Sequence, residues 1–184
     1  MKKIVCFDLW ETLISSQHVH MRSFYSFLEN CGVDHDGIAE RFVVSEFMTR
    51  REIAYAQMVD LVFKRLGLNG AEWEEKKTYA AGLWHAENVA ATWTHGALLM
   101  LEEIRRAGHA LVLVTNSTSA GWNDVAPKVR PFFDRIFVSS KEGFAKPDPR
   151  VYRHIQGWFP EASPSDFVMV DDNPDNLTTP AGMG

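Results

Sequence analysis

The sequence predicts an α/β fold in which a doubly wound parallel sheet carries an all-helical insertion after its first strand. Three observations support this prediction: four short apolar runs of strand length, helical patterns beside the later runs, and a long helical stretch between the first two runs. The chain has 184 residues, of which 46% are apolar and 23% are charged. This length and composition fit one globular domain with a modest insertion.

Four apolar runs are the candidate strands of the sheet. Each run is rich in β-branched or aromatic residues and ends in polar residues, which is typical of strands buried on both faces of a parallel sheet. The runs span residues 4–7, 110–114, 136–138 and 167–170.

Two helical patterns accompany these strands. Leu98, Leu101 and Ile104 form an apolar stripe that ends near Gly108, a residue type that commonly follows a helix. A second stripe begins after Pro149, which favours the first turn of a helix. This second stripe consists of Val151, Ile155 and Trp158. The alternation of strand and helix predicts an α/β fold.

The stretch between the first two strands has a helical pattern of its own, with apolar groups separated by glycines. We therefore predict two units: a core of residues 1–15 and 93–184, and a helical insertion of residues 16–92.

Composition and charge argue against several classes of function. The formal charge is −5 and no long basic run is present, so nucleic-acid binding is not expected. Cys6 and Cys31 are too few for a disulfide framework or a four-cysteine metal site. No apolar stretch approaches the length of a membrane span, and the N-terminal apolar run stops at Asp8, short of a signal-peptide core. We therefore expect a cytoplasmic protein without membrane partners.

Polar side chains follow the predicted strands at their carboxyl ends. They are Asp8 after the first strand, Thr115 and Asn116 after the second, Lys146 in the loop after the third, and Asp171 and Asp172 after the fourth. Ligands of open α/β sheets bind beyond these ends of the strands. We therefore predict that these side chains converge on one site.

Carboxylates from separate strands repel one another unless positive charge lies among them. A lysine supplies part of that charge, and a hard divalent cation supplies more. Mg²⁺ prefers oxygen ligands and commonly combines a few carboxylates with substrate phosphate. An aspartate can also act as a nucleophile that forms an acyl phosphate. The pattern therefore indicates phosphoryl chemistry assisted by Mg²⁺.

Four segments in this order resemble the motifs of the haloacid dehalogenase superfamily. They are residues 4–13, 114–116, 143–149 and 170–176. The resemblance implies a Rossmann-like core, with residues 16–92 as a helical cap in the C1-type position, after the first motif. It also implies that Asp8 is the nucleophile, while Thr115 and Lys146 hold the phosphoryl oxygens. Relatives usually continue with a further strand and helix after the fourth motif, so the resemblance also implies a core shortened at its C-terminus. An exposed sheet edge there could pair with a second copy to form a homodimer.

The resemblance further implies a metal site and a substrate site. The implied Mg²⁺ ligands are the side chains of Asp8, Asp171 and Asp172 and the main-chain carbonyl of Trp10. The implied substrate contacts are Trp10, Thr12 and Asn116. Together these roles predict a Mg²⁺-dependent phosphohydrolase that acts on a small phosphorylated metabolite through an aspartyl-phosphate intermediate.

Two positions depart from the family pattern. Phosphatases of the superfamily usually have a second aspartate two residues after the nucleophile, where it protonates the leaving alcohol, and this chain has Trp10 there. Loss of a general acid typically costs about 10²–10⁴ in rate, so we expect slow turnover. Glu11 replaces the usual glycine and is expected to point away on a strand-end turn. His18 and His20 are further candidates for a substitute acid, although such histidines are more often solvated.

Trp10 leaves two alternatives open. The dehalogenase branch of the superfamily places an aromatic residue at this position and holds its substrate with a cap arginine, for which Arg41 is the candidate. That branch tends to have serine and asparagine where this chain has Asp171 and Asp172, which argues against it. The other alternative is a catalytically weak domain that binds a phosphorylated ligand or a protein.

Overall fold

Four parallel strands form the centre of the computed structural model, which describes residues 2–16, 22–33 and 46–183. The strands of the described part are β1 (Ile4–Phe7), β2 (Ile14–Ser15), β3 (Thr92–Trp93), β4 (Ala110–Thr115), β5 (Arg135–Val138) and β6 (Phe167–Val170). The main sheet has the order β5-β4-β1-β6, so β1 is central and is paired with both β4 and β6. The predicted α/β fold class and all four predicted strands are confirmed.

Helices cover both faces of this sheet. The helices of the described part are α1 (Arg22–Asn30), α2 (Tyr55–Arg65), α3 (Glu74–Ala90), α4 (Ala97–Arg106), α5 (Ser119–Val129), α6 (Ser139–Glu142), α7 (Pro149–Gly157) and α8 (Asp175–Gly182). None of them is long and apolar enough to cross a membrane.

The side chains of β1 divide between two apolar clusters because successive residues of a strand point to opposite faces. Val5 and Phe7 pack in a cluster with residues of α4 and α5, including Trp122. Ile4 and Cys6 pack in a second cluster with residues of α7. The sheet is therefore doubly wound, with both faces of its central strand buried.

The helical insertion has an apolar cluster of its own. Residues of α2 and α3, together with Leu28 of α1, form this third cluster, which is separate from the two sheet clusters. The short strands β2 and β3 pair antiparallel, with Ile14 opposite Trp93 and Ser15 opposite Thr92. The two ends of the insertion therefore leave the core side by side. That residues 16–92 act as a cap remains a prediction.

The insertion contacts the core through α5, which begins just after the strand-end loop of β4. The Ser119 hydroxyl accepts the main-chain N–H of Ile53 at 2.8 Å. One turn further along, Oδ2 of Asp124 accepts the Tyr55 hydroxyl at 2.5 Å and lies 2.9 Å from Nδ1 of His85. These contacts fix the first residues of α2 and the last turns of α3 beside the carboxyl end of the sheet.

The helix α8 runs through Pro180, although the sequence predicts a poor helix there because proline has no amide hydrogen. The missing donor would leave the carbonyl of Asn176, four residues earlier, without its helical partner. The Tyr152 hydroxyl of α7 donates to that carbonyl at 2.6 Å. A side chain from a neighbouring helix thus replaces the missing hydrogen bond.

Candidate active site

Asp8 lies at the carboxyl end of β1, where three loops of the sheet edge meet. Its main-chain N–H donates to the carbonyl of Val170 at 2.9 Å, which continues the pairing of β1 with β6 by one residue. The residue is buried, with 6% of its surface exposed. The strand pairing therefore places a buried carboxylate beside the loop that carries Asp171 and Asp172.

Lys146 connects two of the carboxylates. Its Nζ atom lies 2.6 Å from Oδ1 of Asp8 and 2.5 Å from Oδ2 of Asp171. Asn116 holds the Lys146 backbone at both polar groups: Oδ1 of Asn116 accepts its N–H at 2.9 Å and Nδ2 donates to its carbonyl at 3.0 Å. The sequence predicts Asn116 as a substrate contact, and the structure places its amide on the lysine loop.

Asp171 is held in place from its other side. Its Oδ1 atom accepts the main-chain N–H of Asn173 at 3.0 Å and the side-chain amide of Asn176 at 2.9 Å. The side chain of Asp171 is fully buried. Asp172, in contrast, is exposed, and its main-chain N–H donates to the Thr12 hydroxyl at 3.1 Å. Thr12 thereby links the loop after β1 to the loop after β6.

Burial governs the protonation of Asp8. Desolvation raises the pKa of Asp8 from 3.8 to about 6, although the neighbouring Lys146 ammonium opposes this rise. The negative charge of Asp171 adds to the rise. The positive charge of Lys146 is therefore insufficient to keep the pKa of Asp8 at its ordinary value.

The three carboxylates have an arrangement that fits a hard divalent cation. One oxygen from each of Asp8, Asp171 and Asp172 lies within 4.8 Å of the other two. The donor set contains only oxygen, which Mg²⁺ prefers. A bound cation would also supply the positive charge that Lys146 alone does not provide.

Trp10 is fixed across the end of the sheet by a hydrogen bond to the loop after β4. Its indole N–H donates to the Ser117 hydroxyl at 3.0 Å, and the same hydroxyl lies 2.8 Å from that of Thr115. The Ser117 main-chain N–H donates in turn to the Ser139 hydroxyl at 3.0 Å. Thr115 and Ser117 are both buried. Trp10 is therefore part of a hydrogen-bonded chain of hydroxyl groups.

Glu11 points away from the carboxylates, as the sequence predicts. Its carboxylate oxygens lie 3.1 and 3.2 Å from the hydroxyl of Ser15. Its backbone has a φ of 59°, in the left-handed region that favours glycine. The turn that carries Thr12 is therefore built on a conformation that is unfavourable for glutamate.

The described residues bring almost all predicted site residues together. Hydrogen bonds or ion pairs connect Asp8, Asn116, Lys146 and Asp171; Thr12 and Asp172; and Trp10 and Thr115 through Ser117. Arg41, His18 and His20 lie outside the described residues. The roles of Ser117, Ser139 and Asn173 were not predicted. Their only sequence signal is a polar side chain just after a predicted strand.

Comparisons with known proteins agree with this fold. The model of the family described as haloacid dehalogenase-like hydrolase matches residues 2–184. Among curated proteins, the phosphoserine phosphatase of Thermus thermophilus is 37% identical over 76 residues. That match covers 40% of this chain and only 30% of the length of the Thermus enzyme.

Solved structures with the same fold cover the whole of this chain. A HAD family enzyme of Bacteroides thetaiotaomicron, in complex with magnesium and inorganic phosphate, has a TM-score of 0.73 and 16% identity, with 91% of its own chain covered. A predicted phosphoglycolate phosphatase of Haemophilus somnus has a TM-score of 0.65 and 20% identity, with 82% covered. The sheet, the order of the strand-end side chains and the match of the family model over residues 2–184 lead to one conclusion: the chain belongs to the haloacid dehalogenase-like hydrolases.

Proposed function

We propose that the protein is a Mg²⁺-dependent phosphohydrolase that acts on a small phosphorylated metabolite through an aspartyl-phosphate intermediate. The observation that carries this proposal is the contact of the buried Asp8 with Lys146, beside two further carboxylates from the loop after β6. The phosphatase names and the magnesium and phosphate complex among the similar proteins support it.

Asp8 is the proposed nucleophile. A carboxylate oxygen of Asp8 forms a bond to phosphorus as the bond between phosphorus and the leaving oxygen breaks. Water then attacks phosphorus, the Asp8 carboxylate is released, and inorganic phosphate leaves. Lys146 offsets negative charge during both steps, because its ammonium lies 2.6 Å from Asp8 and is almost completely buried.

The implied cation has candidate ligands in the same cluster. Asp8, Asp171 and Asp172, with the main-chain carbonyl of Trp10, would hold Mg²⁺. When bound, the ion would offset charge on the phosphoryl oxygens. Thr12 and Asn116 would act by fixing the loops of Asp172 and Lys146.

The proposed role of residues 16–92 is that of a cap over this site. Its supporting observation is the contact of α2 and α3 with α5, beside the carboxyl end of β4. A cap in this position would exclude water and select the substrate, with Arg41 as a candidate substrate contact.

A phosphatase assay tests the proposal. Sugar phosphates, nucleotides and p-nitrophenyl phosphate are offered with and without Mg²⁺, and released phosphate is measured. We expect turnover that requires Mg²⁺ and is abolished by Asp8→Asn. The matched control is Asp166→Asn, which removes a carboxylate beside the opposite end of β6 and leaves turnover within about twofold. Turnover no higher than that of Asp8→Asn would reject the proposal.

Trp10 favours a second candidate function, the hydrolysis of 2-haloacids, because an aromatic residue at this position is typical of that branch. Three clustered carboxylates argue against it, since without a cation they would repel an anionic substrate. Halide release from 2-chloropropionate in the presence of a chelator would favour this candidate over the phosphatase.

A further inference from the structure

The side chain of Trp10 limits the proton transfers that are available next to Asp8. It lies two residues after Asp8, and its indole N–H is directed to Ser117 just beyond the end of β4. An indole N–H donates hydrogen bonds but is not a proton donor or acceptor for catalysis. The side chain also packs against the apolar cluster of α4 and α5, which fixes its position. The loop after Asp8 therefore presents an apolar ring where it could present an acid.

The titratable side chains around Asp8 are engaged in other contacts. In the part of the chain that the structure describes, Lys146 contacts Asp8 and Asp171, and Asp171 also accepts hydrogen bonds from Asn173 and Asn176. The carboxylate of Glu11, the nearest acid in sequence after Asp8, accepts from Ser15. Among the described residues, which do not include His18 and His20, no histidine, glutamate or tyrosine is hydrogen-bonded to Asp8 or Lys146.

We propose that the site acts on phosphoryl compounds whose leaving group departs as a weakly basic anion: acyl phosphates, phosphoanhydrides and aryl phosphates. Alkyl phosphates, which include sugar phosphates, are poor substrates because the alkoxide that they release is a strong base and requires a proton as it departs. This inference rests on the proposed phosphatase function and names the substrate class of that site.

The proposed reaction needs no general acid, because the leaving group departs as an anion. The bond between an Asp8 oxygen and phosphorus forms, and the bond from phosphorus to the leaving oxygen breaks, with its electron pair leaving on the anion. In the second step water attacks phosphorus and the Asp8 carboxylate leaves. The water protons are shared between the phosphate and the solvent. Because Trp10 cannot accept a proton from that water either, the second step is slow and the phosphorylated enzyme accumulates.

A leaving-group series tests this inference on the wild-type protein. The value of kcat/KM is measured with Mg²⁺ for acetyl phosphate, a set of substituted phenyl phosphates and a set of alkyl phosphates. We expect kcat/KM to fall steeply as the basicity of the leaving group rises, with alkyl phosphates at least about 10²-fold below aryl phosphates. An initial burst of the phenol should precede steady-state turnover.

The gain-of-function variant is Trp10→Asp, with Trp10→Asn as its matched control of similar size without an acid. Trp10→Asp should raise the ratio of alkyl to aryl turnover at least about tenfold, and Trp10→Asn should not. Equal gains in both variants, or a flat leaving-group series in the wild-type protein, would overturn the inference while leaving the proposed function intact. No turnover of acetyl or aryl phosphates above Asp8→Asn would overturn both. The wild-type series decides the question even if the variants do not fold.

Discussion

Asp8 is costly to ionise in the folded protein, even with a lysine ammonium 2.6 Å away. Burial raises the pKa of this carboxyl to about 6, because desolvation exceeds the attraction of Lys146. The ionised form is the one that can attack phosphorus or bind a cation. The ionised Asp8 carboxylate, on which the proposed chemistry depends, therefore destabilises the folded, metal-free protein.

The first prediction concerns pH and the free energy of unfolding of the metal-free protein. The folded pKa of Asp8, about 6, exceeds the value of 3.8 for an ordinary aspartate. The native state therefore holds this proton more tightly than the unfolded chain does. The contribution of Asp8 to the free energy of unfolding falls as the pH rises from about 4 to about 6, by roughly 1–3 kcal/mol.

Denaturant unfolding of the wild-type protein and Asp8→Asn across this range measures that contribution. The substitution should remove the fall, so Asp8→Asn should be the more stable protein near neutral pH. Asp166→Asn is the control, because hydrogen bonds from Ser163 lower the pKa of Asp166 and its contribution has the opposite sign. Parallel curves for the wild-type protein and Asp8→Asn would contradict the prediction.

The second prediction concerns the backbone of Glu11. Its φ of 59° is unfavourable for a residue with a side chain and costs roughly 1–2 kcal/mol. Glu11→Gly should therefore raise the free energy of unfolding by about 1 kcal/mol, even though the exposed contact with Ser15 is lost. Glu11→Gln keeps the unfavourable φ and should change stability by less than about 0.5 kcal/mol. A loss of stability in Glu11→Gly would show that the contact with Ser15 matters more than the backbone.

Individual residues of the site could be predicted to different extents. Asp8, Lys146 and Asp171 follow or lie near strands whose apolar runs are evident in the sequence, so their convergence follows from the geometry of a parallel sheet. The hydrogen bond between Trp10 and Ser117 depends on the rotamers of two side chains that follow different strands. Sequence spacing carries no information on those rotamers, so this contact could not be predicted.

At the level of elements, a hydrogen bond from the Tyr152 hydroxyl joins α7 to α8. Tyr152 donates to the carbonyl of Asn176, whose side-chain amide in turn holds Asp171. Pro180 makes this arrangement necessary, because it removes the amide that would otherwise bond that carbonyl. The position of Asp171 in the site therefore depends on a contact between α7 and α8.

The third prediction tests this contact. Tyr152→Phe should lower the free energy of unfolding by about 1–3 kcal/mol, because a buried carbonyl loses its partner. In a Pro180→Ala background the loss should be smaller, since the alanine introduced there supplies a helical amide to the same carbonyl. Tyr79→Phe is the control, because Tyr79 is 59% exposed. Equal losses in both backgrounds would show that Pro180 does not create the need for the Tyr152 hydroxyl.

The elements also differ in how far the sequence predicts them. The four strands of the main sheet are continuous apolar runs and were predicted within one or two residues. The helix α5 was not predicted, because Gly121 and Pro127 interrupt its pattern. The strands β2 and β3 have only two residues each, too few to show a periodicity. Their pairing follows from the folded core and insertion together, not from local preference.

For the whole molecule, the separation of the apolar clusters favours a core that can fold without the insertion. The two sheet clusters draw their members almost entirely from the core, and the third belongs to the insertion with only Ala120 of α5 packed against it from the core, among the described residues. Ser15 lies opposite Thr92 in the antiparallel ribbon. A two-residue turn could therefore join these two residues directly.

The fourth prediction is that the core folds alone when an Asn-Gly turn replaces residues 16–91. This turn suits the twist of an antiparallel pair, so β2 and β3 should become an ordinary hairpin. We expect a cooperative unfolding transition and an α/β far-UV circular dichroism spectrum. An Ala-Ala linker is the control and should give a less stable protein, because both residues of such a turn need positive φ. A core without a cooperative transition would contradict the prediction.

The ribbon of β2 and β3 also has a consequence for the order of folding. The strands that pair with the central strand β1 are distant from it in sequence, since Ile4 pairs with Ala110 and Phe167. Such high contact order slows folding, because a long loop must be closed before the sheet can form. The contacts of the insertion are closer in sequence, and pairing of Ser15 with Thr92 removes most of that loop. During synthesis we therefore expect the insertion to fold first and to deliver β1 to β4 as a nearly local strand pair.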